Sequence, residues 1–330
     1  MLKSFFWSKK WFLWAWGGLL ILLLSLYAQV YMSVLFNEWY GKFYDMLGEV
    51  KKYTVDDLWG SLAWFTKIAL IYIILATITG WFTRLYAFRW RKAITFDYIP
   101  RWRNVKEEIE GSSQRIQEDA YRFARIIESL GLQVAKAVMT LVAFLPILWG
   151  LSNGIAINIV GWVVPVIGTA PGNLVWLAIA TSIGGMVISW FVGIKLPGLE
   201  YNNQKVEAAF RKELVLGEDN KTLYAVPETL LKLFTGLEYN YHRLFLHYGY
   251  FDAWVNTYDQ LMIILPYIVA GPALFSGTII LGALVQISNA FSKVHGSFSL
   301  FIQNWTTITE LRSIWKRLHE FERNLDKHQV

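Results

Sequence analysis

The longest apolar stretch of the chain runs from Ala137 to Ile194, where no charged side chain occurs. A membrane-spanning helix needs about 20 apolar residues at about 1.5 Å per residue, so this stretch is long enough for two spans. Glycine and proline residues interrupt its middle and predict a turn between two helices. The interrupting residues are Gly150, Gly154, Gly161, Pro165, Gly168, Pro171 and Gly172. The pattern therefore predicts a polytopic membrane protein.

The same pattern along the whole chain predicts an all-α membrane protein with six transmembrane helices. The first apolar run follows Lys3 to Lys10, as it would in a secretory signal, but it is too long for the apolar core of a cleaved signal. We therefore expect a retained span and a single transmembrane domain that covers residues 1–330. The predicted spans are residues 11–36, 60–87, 126–149, 174–195, 250–270 and 278–303.

Lys and Arg residues are unevenly divided between the segments that join the predicted spans. The segments 88–125 and 197–248 and the tail 304–330 are rich in them, whereas the loop 37–59 holds few and the other two connections hold none. Basic residues accumulate on the cytoplasmic side of membrane proteins. We therefore expect these basic segments, and both termini, in the cytoplasm.

The two long basic segments contain little Pro or Gly, which predicts cytoplasmic helical hairpins over 88–125 and 197–248. In the first of them, Arg115 lies four residues before Asp119, and Glu118 lies four residues before Arg122. This spacing places opposite charges on one face of a helix. We interpret the motif as a salt-bridged brace; the alternative is a docking surface for an ATPase.

The composition agrees with a membrane protein and excludes several functional classes. The 330 residues are 55% hydrophobic and 17% charged, and the 17 Trp and 17 Tyr are typical of two interfacial belts. The net charge of +6 is explained by the topology, so we expect no nucleic-acid partner. The absence of Cys excludes disulfides and thiolate metal sites, and the five His form no metal-binding spacing. We expect no metal, no cofactor and no catalytic residue set, and therefore not an enzyme.

Several blocks of the sequence resemble known transporters. Asn37 to Leu47 and Leu265 to Gly282 resemble the family D branch of ABC transporters, whose transmembrane domains have the fold of ABC exporters. A closer resemblance covers essentially the whole chain and is to the SbmA/BacA family of bacterial peptide-antibiotic uptake proteins. It rests on residues 88–91, 115–124, 193–219 and 304–318.

The resemblance implies a homodimeric protein of the bacterial inner membrane, with an ABC-exporter-like fold and no ATPase domain. It implies import of peptides, including antimicrobial peptides, by alternating access driven by the proton gradient. Longer family members carry additional N-terminal hydrophobic segments. The first predicted span of this chain, 11–36, aligns with a later span of theirs.

The source of energy can also be considered from the residues themselves. The only Gly-Lys pair, Gly41-Lys42, is followed by Phe43 and is not part of a P-loop, and the segment 304–330 leaves no room for a nucleotide-binding domain. We therefore expect a secondary transporter. Two alternatives are an ABC-transporter subunit that moves an acyl chain or a vitamin with a separately encoded ATPase, and a membrane scaffold that affects envelope lipids.

Charged side chains in or beside the predicted spans are the candidates for proton coupling and substrate binding. A lone charge in the bilayer costs about 2.5–3.5 kcal/mol on insertion scales, so such residues are expected to face a cavity or a partner. Glu128 and Lys136 lie about two turns apart on one face of the third span, and Glu200 and Glu207 share a face in the same way. The candidates are Glu128, Glu200, Glu207, Asp259, Lys136, Lys293 and His295.

A structural role is the alternative for each of these candidates. The carboxylates would then form ion pairs at the cytoplasmic edge of the membrane, and Lys136 and Lys293 would extend to the interface or pair with a carboxylate. Lys67 and Arg84 lie near span ends, where we expect interface anchors.

Overall fold

The computed structural model describes residues 1–105, 109, 111–159, 162–163, 168–224 and 226–327. The predicted turn residues Gly161 and Pro165 lie outside the described residues, as do positions 106–108, 110, 225 and 328–330 of the predicted cytoplasmic segments. The helices are Leu2–Phe6 (α1), Gly18–Gly48 (α2), Val55–Arg103 (α3), Ser112–Gln114 (α4), Ala120–Ile126 (α5), Leu132–Leu151 (α6), Asn173–Gly193 (α7), Leu196–Asp219 (α8), Pro227–Phe275 (α9), Leu281–Gln303 (α10) and Trp305–Lys327 (α11).

Shorter elements connect these helices. Three π-helical turns, Leu13–Gly17, Arg115–Asp119 and Ile127–Gly131, run directly into the α-helices that follow them, and Val50–Lys52 is a 3-10 turn. Between α6 and α7, the two-residue strands Asn158–Ile159 (β1) and Trp162–Val163 (β2) pair antiparallel, with Asn158 opposite Val163. A short antiparallel strand pair therefore lies within the region where the sequence predicts the turn.

Five helical stretches among the described residues are long and apolar enough to cross a membrane. They are Leu13–Gly48, Val55–Arg103, Ser112–Leu151, Asn173–Asp219 and Pro227–Phe275. The prediction of an all-α, multi-pass membrane protein is therefore confirmed. Helix α10 occupies the sixth predicted span, 278–303, but does not reach the same combination of length and hydropathy, so that span stays a prediction.

The spanning helices extend well beyond the predicted spans. Helix α3 begins at a capping box, in which the Thr54 hydroxyl accepts a hydrogen bond from the Asp57 backbone N–H and the Asp57 carboxylate accepts one from the Thr54 backbone N–H. It then continues to Arg103, past the predicted end of the second span at residue 87. Helix α9 likewise begins at Pro227, before the predicted fifth span. Much of each predicted cytoplasmic hairpin is thus a continuation of a spanning helix.

The chain forms two compact units, of which the first comprises Met1–Ile179 and Pro266–Val330. Its core is rich in aromatic side chains, and the rings of Phe5 and Trp90 stack with their centroids 5.4 Å apart. Helix α11 contributes one apolar stripe to this core, with helical spacing. The stripe consists of Ile314, Leu318, Phe321 and Leu325, and these side chains are at most 3% exposed.

Helices α2 and α10 of the first unit pack at very close range. A Cβ atom added to Gly282 would lie 2.0 Å from the backbone oxygen of Gly41, so only glycine fits at this crossing. At the same place the Asp45 carboxylate accepts a hydrogen bond of 2.7 Å from the Gly282 backbone N–H. Asp45 therefore caps the first turn of α10 from the neighbouring helix.

The second unit comprises Ala180–Leu265 and contains most of α7, all of α8 and the first part of α9. The indole N–H of Trp254 donates to the Ser189 hydroxyl at 2.9 Å, and the Tyr258 hydroxyl donates to the Thr181 carbonyl at 3.0 Å. Gly185 leaves the space that the Tyr258 ring fills. Side-chain hydrogen bonds and a small residue thus join α7 to α9.

Candidate functional site

Polar side chains of the first unit meet in a groove of about 280 Å³, which we call the polar groove. Helices α2 and α3, the π-helical turn Ile127–Gly131 and helix α6 form its walls. Its polar lining consists of Gln29, Thr79, Thr83, Arg84, Glu128, Gln133 and Lys136. The structure thus brings Glu128 and Lys136, both candidates from the sequence, to one site within predominantly apolar helices.

The Lys136 ammonium group is held by neutral polar groups. Its Nζ donates to Gln29 Oε1 at 3.2 Å and to the Tyr72 hydroxyl at 3.3 Å, and it lies 5.7 Å from the centroid of the Tyr72 ring. Gln29 is buried and in turn donates to the Thr79 hydroxyl at 3.1 Å. These contacts fix the position of the positive charge without neutralising it.

Glu128 lies in the π-helical turn Ile127–Gly131, an irregularity that is frequent at functional sites. Its Oε1 is 3.4 Å from Nε of Arg84 on helix α3. The side chains are 35% and 77% exposed respectively, so neighbouring protein atoms enclose neither of them. An exposed ion pair is worth about 0–1 kcal/mol, and this one can therefore open at little cost.

Gln29, Tyr72 and Arg84 complete the site but are absent from the candidates that the sequence suggested. Gln29 is a polar residue in the middle of the apolar run 11–36, which is the signal that could have identified it. Arg84 was predicted as an interface anchor, and the structure places it in the polar groove beside Glu128.

Two carboxylates of the second unit are hydrogen-bonded by tyrosines. The Tyr248 hydroxyl donates to Glu200 Oε1 at 2.7 Å, and the Tyr241 hydroxyl donates to Glu207 Oε1 at 2.9 Å. Both acids lie on α8 and both tyrosines on α9, so Glu200 and Glu207 share the face of α8 that contacts α9. These tyrosine partners were not among the candidates that the sequence suggested.

The remaining candidates lie elsewhere. Asp259 belongs to the second unit, on helix α9. Lys293 and His295 lie on α10 of the first unit, outside the lining of the polar groove as the described residues define it. Lys293 is exposed, and Nε2 of His295 lies 3.2 Å from the Ser299 hydroxyl.

The basic and acidic motif before the third predicted span forms an ion cluster around Asp119, which is 1% exposed. Arg115 donates to Oδ2 of Asp119 at 2.7 Å, while Arg317 of α11 donates to both carboxylate oxygens, at 2.7 and 3.0 Å. We call these three residues the Asp119 clamp. The Arg115 contact lies within the turn before α5, and the Arg317 contacts join that turn to α11. The clamp is therefore a brace both within one helical segment and between two.

A second, more exposed set of ion pairs lies beside the Asp119 clamp. Arg122 is 2.8 Å from Glu118 and 3.3 Å from Glu310 of α11. The two ion pairs that the sequence predicted, Arg115 with Asp119 and Glu118 with Arg122, are therefore both present. The contacts to Glu310 and Arg317 depend on the packing of α11 and were not predicted.

The Asp119 clamp keeps Arg317 charged. The hydrogen bonds that Arg317 donates to Asp119 raise the pKa of its guanidinium above the usual value, and burial opposes this only in part. The clamp is thus ionic at every physiological pH. No group of three or more His, Asp or Glu side chains among the described residues is arranged to hold a metal ion.

Several proteins similar to this chain are named as ABC transporter proteins. It is 27% identical over 323 residues to the inner membrane ABC transporter ATP-binding protein YddA of Escherichia coli K12, which covers 92% of this chain and 56% of that protein. It is 28% identical over 256 residues to ABC transporter D family member 2, chloroplastic, of Arabidopsis thaliana, covering 76% of this chain and 33% of that protein.

The chain therefore spans between a third and somewhat more than half of these relatives. Together with the five membrane-spanning helices, the relatives identify a multi-pass membrane transporter. The sequence profile of the SbmA/BacA-like family matches residues 8–326, nearly the whole chain, and the protein belongs to that family.

Proposed function

We propose that this protein imports peptides across the bacterial inner membrane, using the proton gradient, as a homodimer that works by alternating access. Its substrates would include antimicrobial peptides and peptide antibiotics, and both termini would be cytoplasmic. The observation that carries the proposal is the polar groove, because ionisable residues within membrane-spanning helices usually mark a transport or proton pathway.

The geometry around Glu128 is suited to reversible protonation. Among the described residues its carboxylate has one ion-pair partner, Arg84, at 3.4 Å, and neither side chain is enclosed by the protein. Protonation of Glu128 would remove the negative charge from this pair and release Arg84. Since Lys136 is held separately by Gln29 and Tyr72, the positive charge on α6 would stay in place during this change.

The Glu–Tyr pairs of the second unit provide further carboxylates for protons or for a cationic peptide. A phenol donates one hydrogen bond and orients the carboxylate, but it carries no charge. Among the described residues, Glu200 and Glu207 each accept a hydrogen bond from a tyrosine, and neither has an ion-pair partner. Each acid can therefore accept a proton or bind a cationic group without first losing an ion pair.

Transport by the purified protein in liposomes tests the proposal. A labelled proline-rich cationic peptide is supplied outside, a pH gradient is imposed, and ATP is left out. Uptake that a protonophore abolishes would support the proposal, and an absence of uptake under these conditions would refute it.

Single substitutions then test the proposed acids. Glu128→Gln, Glu200→Gln and Glu207→Gln each keep the shape of the side chain and remove its titratable group, so each is expected to lose most uptake while the protein stays folded. Glu228→Gln is the matched control, because Glu228 is exposed near the start of α9. Full uptake by all three variants would show that these acids do not couple protons.

A second function is favoured by the relatives, which are named as ABC transporter proteins. In that case the chain would be the membrane part of an ATP-driven transporter. The liposome assay separates the two functions, because uptake that requires an ATPase and ATP, and that persists in a protonophore, would assign the protein to this second class.

A further inference from the structure

A second cavity of the first unit lies outside the polar groove and has a volume of about 1410 Å³. It is formed by the segment 1–11, the last part of α3 and helix α11. Lys10 and Trp11 of its lining come directly before the first membrane-spanning stretch, Leu13–Gly48. The cavity therefore lies beside the start of this stretch, where we expect one edge of the membrane.

Some charged side chains that line this cavity have hydrogen-bond or ion-pair partners, and others have no carboxylate nearby. Arg101 contacts Asp97 at 3.2 Å and Asp326 at 2.6 Å, and the Tyr98 hydroxyl donates to Glu322 at 3.0 Å, so the acidic side chains have partners. Four further cations of the lining are exposed and lie within 4 Å of no carboxylate in the part of the chain that the structure describes. They are Lys3, Lys10, Lys92 and Arg323.

Aromatic side chains beside these cations are placed as in an interfacial belt. Trp7 lines the cavity and is 68% exposed, and Trp16, which is also exposed, contacts Phe6 with ring centroids 5.3 Å apart. Phe12 and Leu13, at the start of the first spanning stretch, are exposed as well. Amphipathic rings and apolar side chains at this level favour contact with lipid rather than with water.

We propose that this cavity binds the phosphate group of an anionic membrane phospholipid, with Lys3, Lys10, Lys92 and Arg323 as its ligands. The cavity is larger than the 300–1,000 Å³ that is typical of small-molecule sites, so it has room for a headgroup and the first part of the acyl chains. A zwitterionic headgroup gains less from four cations than an anionic one does. The site is separate from the polar groove and does not depend on which substrate is transported.

Lipid titration of the purified full chain in detergent tests this site. Phosphatidylglycerol or phosphatidylcholine with identical acyl chains is added, and bound lipid is counted by native mass spectrometry. A lysine near an anionic lipid surface contributes about fivefold in affinity, so neutralising three of them in Lys3→Gln/Lys10→Gln/Lys92→Gln should weaken phosphatidylglycerol binding by at least tenfold, towards about 100-fold.

Two further variants control for charge and for folding. Lys51→Gln/Lys221→Gln/Lys232→Gln removes the same charge from exposed positions outside the cavity and should bind like the unchanged protein. Lys3→Arg/Lys10→Arg/Lys92→Arg keeps the charge and should retain binding, and circular dichroism shows whether each variant keeps its helices.

Three results would overturn the proposal. They are equal affinity for phosphatidylglycerol and phosphatidylcholine, equal loss in the cavity variant and the control variant, and displacement of the lipid by millimolar inorganic phosphate or glycerol phosphate. The last result would assign the cations to a soluble phosphate compound instead.

Discussion

Replacing Asp119 by Asn should loosen helix α11 without unfolding the protein. The substitution keeps the size of the side chain but removes the negative charge between Arg115 and Arg317. Removing one partner of a buried ion pair usually costs about 3–5 kcal/mol, because the other charge stays behind without compensation. Here the two arginine side chains are 23% and 34% exposed and can regain water, so we expect the lower end, about 3 kcal/mol.

The free energy that α11 gains by burying its apolar face can be compared with this loss. Ile314, Leu318, Phe321 and Leu325 are buried, and each such side chain contributes about 1.5–3 kcal/mol, or about 6–12 kcal/mol together. This exceeds the loss from the Asp119 clamp. Helix α11 should therefore remain packed in the variant and open more often.

Hydrogen–deuterium exchange of the purified protein in detergent measures this opening. About 3 kcal/mol corresponds to a factor of about 100, since 1.4 kcal/mol is a factor of ten. The amides of Trp305–Lys327 should exchange about 100-fold faster in Asp119→Asn, whereas those in the middle of α2 should not change. Exchange from locally opened states reports their free energy in this way.

The neighbouring position provides the matched control. Lys316 is exposed and its contact with Glu320 is 3.9 Å long, so Lys316→Gln should change exchange by less than about threefold. Arg317→Gln should fall between the control and Asp119→Asn, and the double variant should cost less than the sum of the two single changes. Unchanged exchange of α11 in Asp119→Asn, or an equal increase in every helix, would refute the argument that the clamp acts locally.

Two more changes test the packing of the first unit. Gly282→Ala should lower the free energy of unfolding by about 1–3 kcal/mol or more, because its Cβ would meet the backbone oxygen of Gly41. Gly296 on the same helix has open space around it, so Gly296→Ala should be tolerated. Leu318→Ala should cost about 2–5 kcal/mol by leaving a cavity, against a small change for the exposed Leu231→Ala. Thermal unfolding in detergent measures both, and stability equal to that of the controls would contradict the packing described above.

The sequence predicted the membrane helices because the bilayer imposes a simple rule on them. A span must be apolar and about 20 residues long, so the uncharged stretch between Ala137 and Ile194 could be assigned without tertiary information. Outside the bilayer this rule no longer applies. The low Pro and Gly content of 88–125 predicted helix beyond the second span, but it could not predict that α3 ends at Arg103.

Helix α10 occupies the sixth predicted span, but its hydropathy is too low to assign it as a membrane helix. It carries polar residues such as Gln286, Asn289 and His295 among its apolar ones, and it packs closely against α2 at Gly41. Polar side chains in a membrane helix usually face other helices or a cavity, so a helix packed against others can carry them. Hydropathy alone therefore does not decide whether α10 crosses the membrane.

The candidate site was predicted in part for a similar reason. Helical spacing placed Glu128 and Lys136 on one face, and both line the polar groove. Their partners Arg84, Gln29 and Tyr72 come from other helices, and no spacing along the chain connects them. One-dimensional patterns can identify the charge that needs a partner, but the partner itself is chosen by the packing of helices.

The Asp119 clamp and the Glu128 pair use the same chemistry for opposite purposes. Asp119 is 1% exposed and receives hydrogen bonds from two arginines, so it holds two helices together. Glu128 is 35% exposed and lies beside one arginine, Arg84, that is 77% exposed. Glu128→Gln should therefore change the free energy of unfolding by less than about 1 kcal/mol. Loss of peptide uptake in a variant of unchanged stability would separate a role in transport from a role in folding, whereas a large loss of stability would show that the pair is structural.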